Sequence, residues 1–146
     1  MSKILAASIV LMLSACQPEA STNDVAGKTR SPPLSRSECM AAGVAARTID
    51  IEALASSSSS LEGAFVRVSG YYVSDFEHSA IYAVPKADPY DHHFESGIWL
   101  DRMDPTLSGK HVQITGIFTR HFKGHLGQWP GSICVISAAE TSPDAP

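Results

Sequence analysis

Two short stretches concentrate the side chains that could do chemistry. Asp88-Pro89-Tyr90-Asp91-His92-His93-Phe94-Glu95 sets two histidines among three carboxylates. Further on, His121 and His125 flank a segment containing Lys123 and Gly124. Imidazole together with carboxylate suits zinc or copper, and the donors would be Asp91, His92, His93, His121 and His125. Their spacing matches no established ligand motif. Two histidines four apart share a helix face, but Gly124 and Gly127 argue for a loop, and solvated loop histidines are the simpler reading. The aromatic residues form a second set. Trp129-Pro130-Gly131 puts an indole at a turn, where its ring would be exposed. Trp99, between Ile98 and Leu100, reads as core instead. The candidate binding contacts are therefore Tyr90, His92, His93, His121, His125 and Trp129. No nucleophile elbow, P-loop, dinucleotide fingerprint or zincin helix is present. The motifs thus point to no enzyme and imply no cofactor.

The N-terminus carries the most specific signal. Lys3 precedes an apolar run from Ile4 to Leu13, which is too short to span a bilayer. Leu13-Ser14-Ala15-Cys16 follows, and this arrangement resembles the bacterial lipoprotein signal. The resemblance implies cleavage before Cys16 and acylation of its sulfur, the nucleophile that takes the diacylglyceryl group. Several acyl chains at ~0.8 kcal/mol per buried methylene make a stable anchor. Gln17, and not Asp, follows the cysteine. In the Gram-negative pattern this implies the outer membrane, facing the periplasm.

Removal of Lys3 with the signal takes the formal net charge from −4 to −5. An acidic, exported chain is a poor partner for nucleic acid, which calls for a basic patch. Once Cys16 is committed to lipid, Cys39 and Cys134 remain as an even pair in a compartment that permits disulfides. A bridge between them is expected, with two buried free thiols as the alternative.

The elements that position these residues follow from patterning. Residues 1–15 read as the signal and 16–34 as a flexible tether rich in Ser, Thr, Pro, Ala and Gly. Residues 35–140 read as one domain, and 141–146 as a disordered tail. Ser35-Arg36-Ser37-Glu38 fits a capping box ahead of a short helix. Asp50 is placed to cap a second, Ile51 to Ala55. Leu61-Glu62-Gly63-Ala64-Phe65-Val66-Arg67-Val68-Ser69-Gly70-Tyr71-Tyr72 aligns with Leu107-Ser108-Gly109-Lys110-His111-Val112-Gln113-Ile114-Thr115-Gly116-Ile117-Phe118, and Phe76 and Phe122 extend the match. Both copies alternate apolar and polar residues, as half-buried strands do. Gly70 and Gly116 fall mid-strand in matching places, which suggests bends, bulges or close backbone approach. Shorter strands are predicted over Ser79 to Val84, Gly97 to Leu100 and Ser132 to Ser137.

Two long bent strands, first and fourth, with three shorter ones resemble the OB-fold, a five-stranded Greek-key barrel. The resemblance covers Leu61 to Ala139. The fold class expected is thus mainly β, a small five-stranded OB-like barrel with a short N-terminal helical segment, similar to the barrels of small Gram-negative lipoproteins. The expected function is a membrane-anchored, non-catalytic binding or adaptor module that recognises an envelope protein or glycan and no nucleic acid. The alternative is a periplasmic zinc- or copper-binding protein.

Overall fold

The computed structural model describes residues 39, 45–57, 59–86 and 93–143. The fold is mainly β. A six-stranded mixed sheet is built from β1 (Arg47–Thr48), β2 (Phe65–Asp75), β3 (His78–Tyr82), β4 (Gly97–Asp101), β5 (His111–Thr119) and β6 (Ser132–Glu140). Among the described residues, a short helix, α1 (Ile51–Ala55), and several 3-10 turns accompany it. The strands run in the order β1-β2-β3-β4-β6-β5, and an antiparallel β2–β5 pairing closes the sheet on itself. The expected count of five strands is corrected to six. The additional one, β1, is two residues long and parallel to β2, with Thr48 opposite Arg67. Two residues carry no periodicity, so only the pairing itself defines this strand. Of the helix predicted after Ser35-Arg36-Ser37-Glu38 only Cys39 is described, and it is helical; the segments 1–15 and 16–34 lie outside the described residues. The second predicted helix forms over Ile51–Ala55, although the Asp50 side chain makes no cap hydrogen bond.

Strand alternation builds the main core. Val66, Val68 and Tyr72 of β2 and Val112, Ile114 and Phe118 of the neighbouring β5 all point into the same interior. Ile81, Ile98, Leu100 and Ile133 complete it from β3, β4 and β6. A five-residue helix is too short to persist by itself. Burial of Ile51 and Leu54, three apart on one face, attaches α1 to this core, at about 1.5–3 kcal/mol for each side chain.

The two repeat glycines sit where the sheet turns. β2 pairs with β5 through Tyr71 and with β3 from Tyr71 onward, so the strand changes partner beside Gly70. A Cβ on Gly70 would overlap the Tyr82 carbonyl oxygen and the Ile51 side chain. The β5–β6 register shifts between Thr115 and Gly116, where β6 carries Ile136 as an extra residue. A Cβ on Gly116 would overlap the Cys134 carbonyl oxygen. Close backbone approach therefore requires glycine at both positions.

The disulfide expected from the sequence is present. Cys39 and Cys134 are bonded with a Cα–Cα distance of 5.8 Å, and both are buried. The bridge joins the segment upstream of β1 to β6. No described helix is long and apolar enough to cross a membrane.

Candidate functional site

The outward faces of β3 and β4 are covered by a second, smaller core. Along β3, Ser79 and Ile81 point one way, while His78, Ala80 and Tyr82 point the other. Along β4, Ile98 and Leu100 enter the main core and Trp99 takes the opposite face. Trp129 lands on this face from the segment between β5 and β6. Its ring centroid lies 4.8 Å from Trp99, 4.7 Å from Phe94 and 5.3 Å from His78. The T-shaped and tilted arrangements let a positive ring edge meet a negative ring face, worth about 0.5–1.5 kcal/mol per pair beyond the area buried. Tyr82 Oη and His78 Nε2 are 3.0 Å apart. Phe122 closes on Trp99 at 6.5 Å.

The loop from Arg120 to Gly131 is fastened by this cluster. Gly124 has φ +66°, and a Cβ there would come within 2.5–2.7 Å of the Trp99 and Trp129 rings. Only glycine lets the backbone lie against both indoles. Trp129 N–H donates to the Lys123 carbonyl (3.2 Å), and Trp99 N–H donates to the Gly131 carbonyl (3.1 Å). The Trp129 indole N–H is buried without an acceptor among the described residues. That arrangement costs about 1–3 kcal/mol, which the ring contacts offset.

The expectation of an exposed Trp129 ring is corrected: the residue is 2 % exposed. A Pro-Gly turn faces solvent only when nothing packs on it, and here the turn folds back over β3 and β4. The histidines go separate ways. His125 Nε2 lies 2.9 Å from Glu77 Oε2, His121 Nε2 lies 4.0 Å from Glu62, and exposed His93 lies 3.2 Å from Glu95. The Glu95 backbone N–H, then the His93 side chain, hold the Glu95 carboxyl below its ordinary range. Among the described residues, no three of His, Cys, Asp or Glu are grouped so as to hold a metal. Tyr90, Asp91 and His92 lie outside the described residues, as does Cys16.

What the structure brings forward instead is apolar. Phe76 is 86 % exposed at the tip of the two-residue β2–β3 turn, and Leu126 is 72 % exposed on the Arg120–Gly131 loop. Each neighbours one member of the Glu77–His125 contact, so that contact holds the two tips on one edge of the molecule. Glu77 (φ 56°) and Leu126 (φ 52°) both occupy the left-handed region, uncommon for residues with a Cβ. The available signal was an apolar residue at a hairpin tip, where polar turn formers are usual. In the sequence, Phe76 reads as part of the repeat, matched to Phe122. Its counterpart Phe122 packs on Trp99, whereas Phe76 does not. Comparison with protein-family models, with curated proteins and with solved structures finds no match for this chain.

Proposed function

We propose that this chain is a lipid-anchored adaptor of the Gram-negative outer membrane, facing the periplasm and docking an envelope protein through Phe76 and Leu126. The anchor is Cys16, and residues 17–34 supply reach. The domain is an OB-like barrel in this reading. Supporting it, β5 returns to lie beside β2 after the consecutive strands β2, β3 and β4, the order of a Greek key. The lipid signal argues for the location, but only a site argues for the role.

The observation that carries the docking reading is the pair of exposed apolar tips held together by Glu77 and His125. An apolar side chain on a locked loop loses little conformational entropy on binding, which raises the net gain from burying it. The burial of Trp129 favours a protein over a glycan, because the ring that would stack on a sugar is covered. The separate pairing of His93, His121 and His125 leaves the zinc or copper reading with less support than docking.

The test uses the full-length chain in its own envelope, with a photo-crosslinking amino acid at exposed Gln128. Mass spectrometry first checks that Cys16 is the acylated N-terminus. A discrete protein adduct is expected, and the Phe76→Ser/Leu126→Ser double variant should lose it. Two side chains at about 1.5–3 kcal/mol each correspond to at least a hundredfold loss of affinity. An adduct that survives the double substitution refutes docking by these tips. An unacylated chain refutes the anchor.

A further inference from the structure

A different face of the sheet carries a cleft that the docking reading does not use. On β2, Arg67 and Ser69 alternate with the inward-facing Val66, Val68 and Gly70. They form a floor with His111 and Gln113 of β5, Ser69 lying opposite Gln113 in the ladder. Thr48 of β1 makes one wall, set by its pairing with Arg67. Thr141 and Ser142, just beyond β6, make the other. They are placed by the Thr141 N–H donating to the His111 carbonyl at 2.9 Å. The cleft holds about 240 Å³.

Its charge is unbalanced. Among the described residues, no carboxylate lines the cleft. The nearest in sequence to its wall, Glu140, is held by Lys110 at 2.6 Å. Arg102 sits beside Asp101 (3.6 Å), and Arg120 donates to the Ser57 carbonyl. The Arg67 guanidinium has no such partner among the described residues. It is a planar fork suited to a carboxylate, in a chain whose net charge is negative. His111 Nδ1 is engaged with Thr141 Oγ1 at 3.0 Å, and its Nε2 has no hydrogen-bond partner among the described residues. The hydroxyls of Thr48 and Ser69 and the Gln113 amide can each donate and accept hydrogen bonds.

We propose that this cleft binds one sugar-acid group, a single ring carrying several hydroxyls and one carboxylate. One unpaired cation compensates one negative charge, which selects a carboxylate over a phosphate dianion. Groups that donate and accept match hydroxyls on the ligand. The volume lies below that of drug-sized sites, which selects one ring over a chain. The group is recognised alike as a free acid or as the terminal residue of a glycan.

The test is amide NMR of the full-length chain in detergent micelles, titrated with sodium glucuronate, glucose or inorganic phosphate. Glucuronate should give saturable shifts at Arg67, Ser69, Gln113 and Thr141, with glucose and phosphate at least tenfold weaker. Arg67→Gln should weaken glucuronate at least tenfold without changing thermal unfolding, because the side chain is exposed. Arg67→Lys should recover part of the loss, and Gln113→Leu provides a second, independent loss. Phe76→Ser/Leu126→Ser should leave glucuronate binding intact, which separates this site from the docking edge. An oligosaccharide ending in a uronate that binds as tightly as the free acid assigns the source to glycan ends. Preference for the free acid assigns a small solute, and either result supports the site. Equal binding of glucose or phosphate, an unaffected Arg67→Gln variant, or no saturable shift overturns the proposal.

Discussion

Replacing both Cys39 and Cys134 with alanine removes a cross-link spanning 95 residues of sequence, nearly the whole described domain. In the chain-entropy picture the bridge acts on the unfolded ensemble. The entropy removed is roughly 2.1 + 1.5R ln n cal/mol/K. A loop of that length gives about 16 cal/mol/K, or about 4.7 kcal/mol at 25 °C. For a domain of this size each kcal/mol is worth at least ~4 °C in Tm, so the loss should be on the order of 20 °C. Urea unfolding should show two signatures together. The midpoint falls, and the slope m rises, because the freed chain exposes more surface when unfolded. Reduction of the wild-type chain separates cross-linking from packing. It opens the bond but leaves both sulfurs in their buried places. If the cross-link dominates, the reduced wild type melts within a few degrees of the alanine double variant. A reduced wild type that keeps its Tm, beside a double variant that loses 20 °C, would refute the entropic reasoning and assign the effect to sulfur packing.

Two further outcomes are open to direct measurement. Gly70→Ala and Gly116→Ala should each lower stability by about 1–3 kcal/mol in urea titrations, since the new Cβ meets a ladder carbonyl that cannot withdraw. Ser137→Ala on the exposed part of β6 should do little, and glycine variants matching it would refute the close-approach argument. Asp104 Oδ1 accepts from the Thr106 N–H (2.9 Å) and hydroxyl (2.7 Å). The backbone bond first, then the hydroxyl, hold its carboxyl below the ordinary value. The turn Pro105–Leu107 is therefore stabilised above the ordinary carboxylate range, and this is lost as pH falls through the depressed folded value. An NMR titration of Asp104 with an ordinary midpoint, or a Thr106 amide that does not follow it, would refute this.

How much was legible in advance follows from how far each cause reaches along the chain. Period-two alternation and the repeated Leu-x-Gly start are local, and they placed β2 and β5 and the inward positions Val66, Val68, Val112 and Ile114. Mid-strand Gly70 and Gly116 marked the turning points for the same reason. An isolated glycine inside an apolar alternation needs a backbone cause. Cysteine parity, given the Cys16 lipid signal, paired Cys39 with Cys134. The site residues were less legible because their exposure depends on what another segment does. Trp99 sits out of phase with Ile98 and Leu100, which shows that it faces away from the main core but not that a second core awaits it. Trp129 is buried because Gly124 lets the Arg120–Gly131 loop lie against both indoles, a contact between segments some thirty residues apart. His121 and His125, four apart in sequence, turn to different carboxylates because Glu62 and Glu77 belong to different segments. The cleft around Arg67 has no sequence pattern, since Thr48, Gln113 and Thr141 meet it only through strand pairing. The sequence by itself determined the five longer strands, their inward faces, the glycine corners and the cysteine pair, all set by local sterics and composition, while β1 is defined by its pairing alone. Only the tertiary structure decided which aromatic rings are covered, which apolar tips remain in water and that Arg67 enters a cleft with no ion-pair partner among the described residues, because each depends on segments brought together by the closed sheet.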